Sequence, residues 1–193
     1  LENFGISVVS VSDARFDPEL QLTQLEALAM QKPDLIIAIP VDDKVTSDKF
    51  RRLSRHTKLV FMSNVPEGLK KTEYCTCVSV NESENGANIG DLMGEYFAGR
   101  NNIKAGFIMH GTPFYGTHLR DMSARQEIID RYRNIDICAY GRFEAFEDAY
   151  EECRKMIEAH PDIEAMYVTW DRPALEVIRA LKDIGREDVS VFT

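Results

Sequence analysis

The chain's four histidines are where catalysis or metal binding would first show. His56 lies in a charged helical stretch, His110 ends an apolar run, His118 sits in a segment of helical periodicity, and His160 stands beside Pro161. No cluster of His, Cys and Asp has metal-ligand spacing, and there is neither a phosphate-binding glycine loop nor a Gly-x-Ser-x-Gly elbow. Cys75 and Cys77 are two apart on an expected strand, so both point to one face and could approach a metal or each other. Without a second ligand pair at zinc-site spacing they read as small apolar fillers. Cys153 falls within a helical apolar stripe and reads as core, and four cysteines are too few for a disulfide scaffold. Gly86, Gly90 and Gly94 recur every four residues inside a helix, which suits close packing and not a dinucleotide-binding turn. Neither an enzyme nor a cofactor is expected.

The informative chemistry lies in a polar turn that occurs twice. Pro161-Asp162-Ile163-Glu164-Ala165-Met166-Tyr167-Val168 reads as a buried strand, and Thr169-Trp170-Asp171-Arg172-Pro173 as a turn into a helix. Asp171 is placed to cap free amides, Pro173 suits a first helical turn, and the chain's one tryptophan stands at the join. The earlier copy is Pro33-Asp34-Leu35-Ile36-Ile37-Ala38-Ile39-Pro40-Val41-Asp42-Asp43, with Asp43 corresponding to Asp171.

These turns need a scaffold of alternating strands and helices. Strands are predicted at Gly5–Val11, Leu35–Ile39, Lys58–Met62, Cys75–Val80, Ile103–Met109, Ile135–Tyr140, Ile163–Val168 and Val189–Phe192. Helices are predicted from Asp17-Pro18 with Leu22, Leu25, Leu28 and Ala29 inward, and from about Asp43 to Arg55. Asn81-Glu82-Ser83-Glu84 resembles a capping box that opens the next helix. A helix from Thr117 is expected to bury Leu119, Met122 and Ile129. The strongest stripe is Phe146, Ala149, Tyr150, Cys153, Met156 and Ile157, and the last helix is expected to bury Leu175, Ile178 and Leu181 before stopping at Gly185. Strict alternation predicts an α/β fold with parallel sheets and right-handed crossovers. The pattern changes at Asn81, which divides the chain into lobes 1–80 and 81–193.

The balance of 23 Lys and Arg against 32 Asp and Glu gives a net charge of −9, which disfavours nucleic acid and anionic membrane as partners. No apolar run approaches the ~20 residues that span a bilayer. The first residue is Leu1 and not Met, so the chain is expected to be cut from a longer one, and the lack of a visible signal peptide leaves its compartment open.

Asp13-Ala14-Arg15-Phe16-Asp17-Pro18-Glu19-Leu20-Gln21, Lys32-Pro33-Asp34-Leu35-Ile36-Ile37, Val80-Asn81, His160-Pro161-Asp162 and Trp170-Asp171 occur in an order that resembles the periplasmic sugar-binding proteins of the ribose and galactose type. The resemblance implies two doubly wound parallel-sheet lobes of the type I periplasmic-binding-protein kind, with an incomplete first lobe. That family has a strand and helix ahead of Leu1 and further segments after Thr193. It also implies a crossing between lobes at Asn81, hinge closure about it, and a sugar held in the cleft by aromatic stacking and polar hydrogen bonds. A pyranose offers C–H faces to rings and hydroxyls to Asp, Asn and Arg, and each hydroxyl buried unpaired costs ~1–3 kcal/mol.

Carried over by position, the resemblance assigns ligand binding to a set of residues. Trp170 stands where the ribose-binding relatives have a ligand-contacting Asn, which exchanges a hydrogen-bonding site for a stacking one. Asp171 matches an Asp of the same turn. His118 falls where the family often has a ligand-binding Arg, and lacks its bidentate fork. Ser63 and Asn64 replace an Asp-Arg pair that contacts the sugar. Asp13 and Arg15 sit at the mouth of the first lobe, where turn chemistry also explains Asp13. Phe114 and Tyr115 lie in a loop longer than that of the ribose relatives, and Phe143 approximates a stacking phenylalanine. The implied ligand is a small sugar or sugar-like polyol other than ribose. The implied role is that of solute receptor for an ABC importer permease outside the cytoplasmic membrane. The alternatives with this fold are the effector domain of a lactose-repressor-type regulator, or the extracellular sensor domain of a membrane kinase. Gln21 and Asp34-Leu35-Ile36 fit the transport receptors better than the repressors.

Overall fold

A computed structural model describes residues 4–112 and 114–193 of the protein. Leu1, used above, lies outside the described residues. The chain divides into two compact units, one running to Val80 and the other beginning at Asn81.

In the first unit the described elements are α1 (Pro18–Met30), β1 (Leu35–Ala38), α2 (Ser47–Leu53), β2 (Lys58–Met62) and β3 (Thr76–Val78). The strands form a parallel sheet in the order β1-β2-β3. Asp17 caps α1 by accepting the amides of Glu19 and Leu20 at 2.9 and 3.1 Å, and Pro18 takes the first helical position. Gln21 then ties the helix to the exit of β1. Its Nε2 donates to Ile39 O at 2.8 Å, and its Oε1 accepts the Val41 amide at 2.9 Å. The Asp-Pro-x-x-Gln motif is thus a device for holding the mouth of this sheet. Leu25, Ile36, Phe50, Leu53, Leu59 and Phe61 form the core on one face.

Three expectations for this unit need correction. Gly5–Val11 is not a strand: it joins no ladder, and Ile6, Val8, Val9 and Val11 are exposed. β-branched residues favour a strand only when a neighbouring strand receives their backbone groups. The second helix covers Ser47–Leu53 and not Asp43–Arg55, because the Asp42 carboxylate draws the amides of Lys44 and Val45 into a turn, each at 2.8 Å. β3 is only Thr76–Val78 and not Cys75–Val80, and with Gly5–Val11 outside the sheet the described residues of this unit form three strands where four were expected.

The second unit contains α3 (Glu82–Tyr96), β4 (Ile103–His110), α4 (Tyr115–Arg131), β5 (Ile135–Phe143), α5 (Asp148–Ala159), β6 (Ile163–Val168), α6 (Asp171–Asp183) and β7 (Ser190–Phe192). Its parallel sheet has the order β5-β4-β6-β7. Residues along β6 alternate between two cores. Ile163, Met166 and Val168 pack with α5 and α6, and Ala165 and Tyr167 pack with α3 and α4. Coverage on both faces explains the unbroken apolar run. Asn81 caps α3 through the Glu84 amide, and Asn81 Nδ2 donates to the Glu84 carboxylate at 3.0 Å.

Both later helices differ from expectation in phase. α4 begins at Tyr115 and buries Asp121, Ala124 and Ile128, leaving Met122 and Ile129 exposed. α6 buries Ala174, Val177, Ala180 and Leu181, so Leu175 and Ile178 face outward. Ala124, Ala174 and Ala180 are buried while the larger Met122, Leu175 and Ile178 are exposed, and Ala124 sits where α4 meets the bare backbone of α3 at Gly86. Asp171 is not the cap: Trp170 holds the cap position, and Asp171 is the first helical residue. β5 runs on to Phe143, and β7 begins at Ser190.

Candidate functional site

The carboxyl ends of β4, β5 and β6 bring aromatic side chains together in the second unit, at the edge where open α/β sheets bind ligands. His110 is the last residue of β4 and Phe143 the last of β5, and Trp170 follows β6 by two residues. The His110 ring stacks on Phe114 at 5.2 Å with 16° between planes, and meets Phe143 at 5.2 Å and Trp170 at 5.3 Å. Trp170 also meets the edges of Phe143 at 5.3 Å and Phe146 at 5.9 Å. The Arg172 guanidinium lies 4.6 Å over the Phe146 ring. These offset and edge-on arrangements each add ~0.5–1.5 kcal/mol beyond burial, which fixes the orientation of the indole.

The loop after β4 is held by its own polar groups. The Gly111 amide donates to Phe143 O at 2.8 Å, and Thr112 Oγ1 donates to the Glu144 carboxylate at 3.2 Å. A Cβ at Gly111 would come within 2.0 Å of Glu144 Oε1, so only glycine lets this carboxylate close on the loop. His110 Nδ1 lies 2.8 Å from Thr112 O, which places the proton on Nδ1 and leaves Nε2 of the neutral ring as an acceptor.

Beneath Trp170 is a polar layer. Tyr167 donates its hydroxyl to Asp121 Oδ1 at 2.8 Å, and burial pushes the Asp121 carboxyl above the usual carboxylate range. Arg120 donates from Nε to Glu82 Oε2 at 2.8 Å and from NH1 to Thr169 O at 2.9 Å.

In the first unit, the ends of β1 and β2 carry a pair of polar side chains. Asn64 donates to the Asp43 carboxylate and, at 3.4 Å, to Pro40 O. Burial raises the Asp43 pKa, against the lowering influence of the Asn64 hydrogen bond. Ser63 has φ of 73°, with its amide on Val78 O at 2.8 Å and its carbonyl accepting Ser79 Oγ at 2.7 Å. Asp13 Oδ1 accepts the Arg15 amide at 2.8 Å, and Arg15 and Phe16 both lie in the left-handed region at 49° and 63°. Two consecutive non-glycine residues there store strain of order 1–3 kcal/mol each.

Among the expected ligand residues, Trp170, Phe114 and Phe143 gather around one point. Phe143 is buried at 1% exposure and supports the tryptophan from below. Tyr115 is exposed at the start of α4. His118 is exposed on the same helix, its amide bonded to Phe114 O at 2.8 Å. Asp171 is exposed and accepts the Arg172 amide at 2.8 Å. Sequence reasoning passed over His110, Phe146, Arg172 and Asp43 as site residues. The rule that strand ends line the site would have found His110, since it ends β4 as Phe143 ends β5.

The whole chain, residues 1–193, matches the family model described as periplasmic binding protein domain. No curated protein sequence matches it. Among solved structures, the chain is similar to a carbohydrate transporter solute-binding protein from Agrobacterium radiobacter in complex with D-arabinose. The TM-score is 0.85 at 15% identity, over 98% of this chain and 65% of that one. A Mycobacterium smegmatis protein in complex with β-D-fucofuranose gives a TM-score of 0.88 at 15% identity, over 98% and 64% of the two chains. An ABC transporter solute-binding protein from Bacillus halodurans with bound myo-inositol gives 0.83 at 18% identity, over 93% and 62%. The chain therefore spans 62–65% of the length of these three proteins. With a family match along its full length, two parallel α/β units and the fold of these structures, the chain belongs to the periplasmic binding protein domain family.

Proposed function

We propose that the protein is a receptor that binds a small sugar or sugar-like polyol without transforming it, and delivers it to an ABC importer permease outside the cytoplasmic membrane. The observation that carries this reading is the ring cluster of His110, Phe114, Phe143 and Trp170 at the carboxyl edge of the second sheet. A half-buried indole fixed by three neighbouring rings offers a platform for the C–H face of a sugar, and the His110 ring, with Nδ1 on Thr112 O, leaves Nε2 to hydrogen-bond a hydroxyl. In the first unit, Asn64 and Asp43 occupy the ends of β1 and β2 and have the donors and acceptors that polyol hydroxyls require, with Asp13, Arg15 and Ser63 on adjoining turns. The similar structures hold D-arabinose, β-D-fucofuranose and myo-inositol, which supports the ligand class. No helix among the described residues is long and apolar enough to cross a membrane.

Isothermal titration against aldopentoses, aldohexoses and cyclitols tests the reading. The expected result is saturable binding of at least one member. Absence of heat from every sugar and polyol in the panel would overturn it.

A further inference from the structure

The turn that carries Trp170 is bonded by the Arg120 side chain, and that side chain is also bound to the start of α3. Thr169 lies between the last ladder residue of β6 and Trp170, and is wholly buried. Its amide donates to Ile108 O of β4 at 3.3 Å, and its carbonyl accepts from Arg120 NH1 at 2.9 Å. The other edge of the same guanidinium is spent on Glu82, with Nε at 2.8 Å and NH2 at 2.6 Å from Oε2. Glu82 is the first residue of α3, directly after Asn81. Both side chains are largely withdrawn from solvent, at 20% and 12% exposure, so the pair is screened less than a surface ion pair. Only a guanidinium serves here, because a lysine ammonium has no planar fork to reach a carboxylate and a carbonyl in two directions at once. Trp170 itself begins α6 without a side-chain cap hydrogen bond, so its ring contacts orient the indole while the bonds at Thr169 hold the backbone that carries it.

We infer that Arg120 is a positioning residue for ligand recognition: held by Glu82, it sets the Thr169–Trp170 turn, and through it the face of the indole. It touches no ligand. It makes the placement of Trp170 depend on the segment at Asn81–Glu82, which is where the chain enters this unit. The inference about recognition rests on the proposed sugar-binding reading, but the placement of Trp170 can be measured without any ligand.

Trp170 is the chain's one tryptophan, so intrinsic fluorescence reports this turn alone. Arg120→Lys and Glu82→Gln are compared with Arg131→Lys. Arg131 also joins α3 to α4, through Asp91 at 2.7 Å, but lies away from the turn. In ligand-free protein with unchanged far-ultraviolet circular dichroism, Arg120→Lys is expected to red-shift Trp170 emission and raise its acrylamide quenching. Glu82→Gln should do so less, and Arg131→Lys not at all. Titrated with the sugar and polyol panel, Arg120→Lys should bind about tenfold more weakly, the size of one lost charge-assisted hydrogen bond. Emission and quenching unchanged in both Arg120→Lys and Glu82→Gln would overturn the inference. An equal shift in Arg131→Lys would also overturn it, by reducing the pair to a general tie between helices. Should Arg120→Lys not fold, Glu82→Gln decides alone. If the unsubstituted protein binds no sugar while the emission shifts appear as expected, the positioning stands and the sugar-binding reading is what fails.

Discussion

At the scale of single residues, Trp170 is held so tightly that its contribution is separable. Its ring meets His110, Phe143 and Phe146 at 5.3–5.9 Å, and such packing leaves the indole little freedom to lose on binding. Trp170→Ala is therefore expected to weaken sugar binding by more than about 1 kcal/mol, and Trp170→Phe by less, because a smaller ring keeps part of the stacking face. Titration calorimetry decides this, and an unchanged affinity in Trp170→Ala would remove the residue from the site. The place of Trp170 in the ring cluster was legible in the sequence because a lone tryptophan stands at a strand-to-helix turn. Its partner His110 was not, since a histidine closing an apolar run has no local signal that separates a site residue from a strand end. Asp171 misled for a related reason. A carboxylate near a helix start usually caps it, but the helix begins one residue earlier than the cap reading requires, and Trp170 occupies the cap position with no side-chain hydrogen bond.

At the scale of elements, α3 and α4 approach closely because Gly86, Gly90 and Gly94 present bare backbone to the neighbouring helix. A Cβ at Gly86 would stand 2.1 Å from Arg120 O and 3.0 Å from Ala124 N, both main-chain atoms that cannot step aside. At Gly94 the obstacle is the Tyr132 ring at 2.2 Å, a side chain that can rotate at the expense of its hydrogen bond to Asp91. Gly86→Ala is thus expected to destabilise the second unit by about 1–3 kcal/mol, despite alanine's helix-propensity advantage of ~1 kcal/mol. Gly94→Ala should cost less. Urea unfolding followed by circular dichroism ranks the two, and a Gly86→Ala midpoint at or above that of the unsubstituted protein would refute the close-approach account. The glycine spacing was readable, as were the existence and order of most strands, because strands buried on two faces are continuous apolar runs. Helix phase was not readable for α4 and α6. Ala124, Ala174 and Ala180 are small enough to be overlooked beside Met122, Leu175 and Ile178, yet they are the residues buried, Ala124 where α4 meets Gly86 of α3. Asp121 was unreadable for a sharper reason: its partner, the Tyr167 hydroxyl, is 46 residues away in sequence.

At the scale of the whole molecule, the change of pattern at Asn81 marked the passage from one compact unit to the next, and the two units differ in how completely their sheets are covered. Both faces of the second sheet are packed, with separate cores under α5 and α6 and under α3 and α4. Among the described residues, the first sheet has a core on one face only. Leu35, Ile37, Met62 and Val78 are exposed on its strands, and Ile6, Val8, Val9 and Val11 are exposed ahead of them. Parallel sheets owe their stability to burial on both sides, so a three-stranded sheet packed on one side opens at lower free energy than a four-stranded sheet packed on two. For the 193-residue chain, amides in β1, β2 and β3 are therefore expected to exchange with deuterium well before those in β4 and β6, at a pH and temperature where both units remain folded. Mass-spectrometric hydrogen exchange resolves the two sets by peptide. Equal protection in β2 and β4 would contradict the account, because Phe61 and Phe107 are both fully buried and their strands differ in the extent of the sheet and the covering of its opposite face.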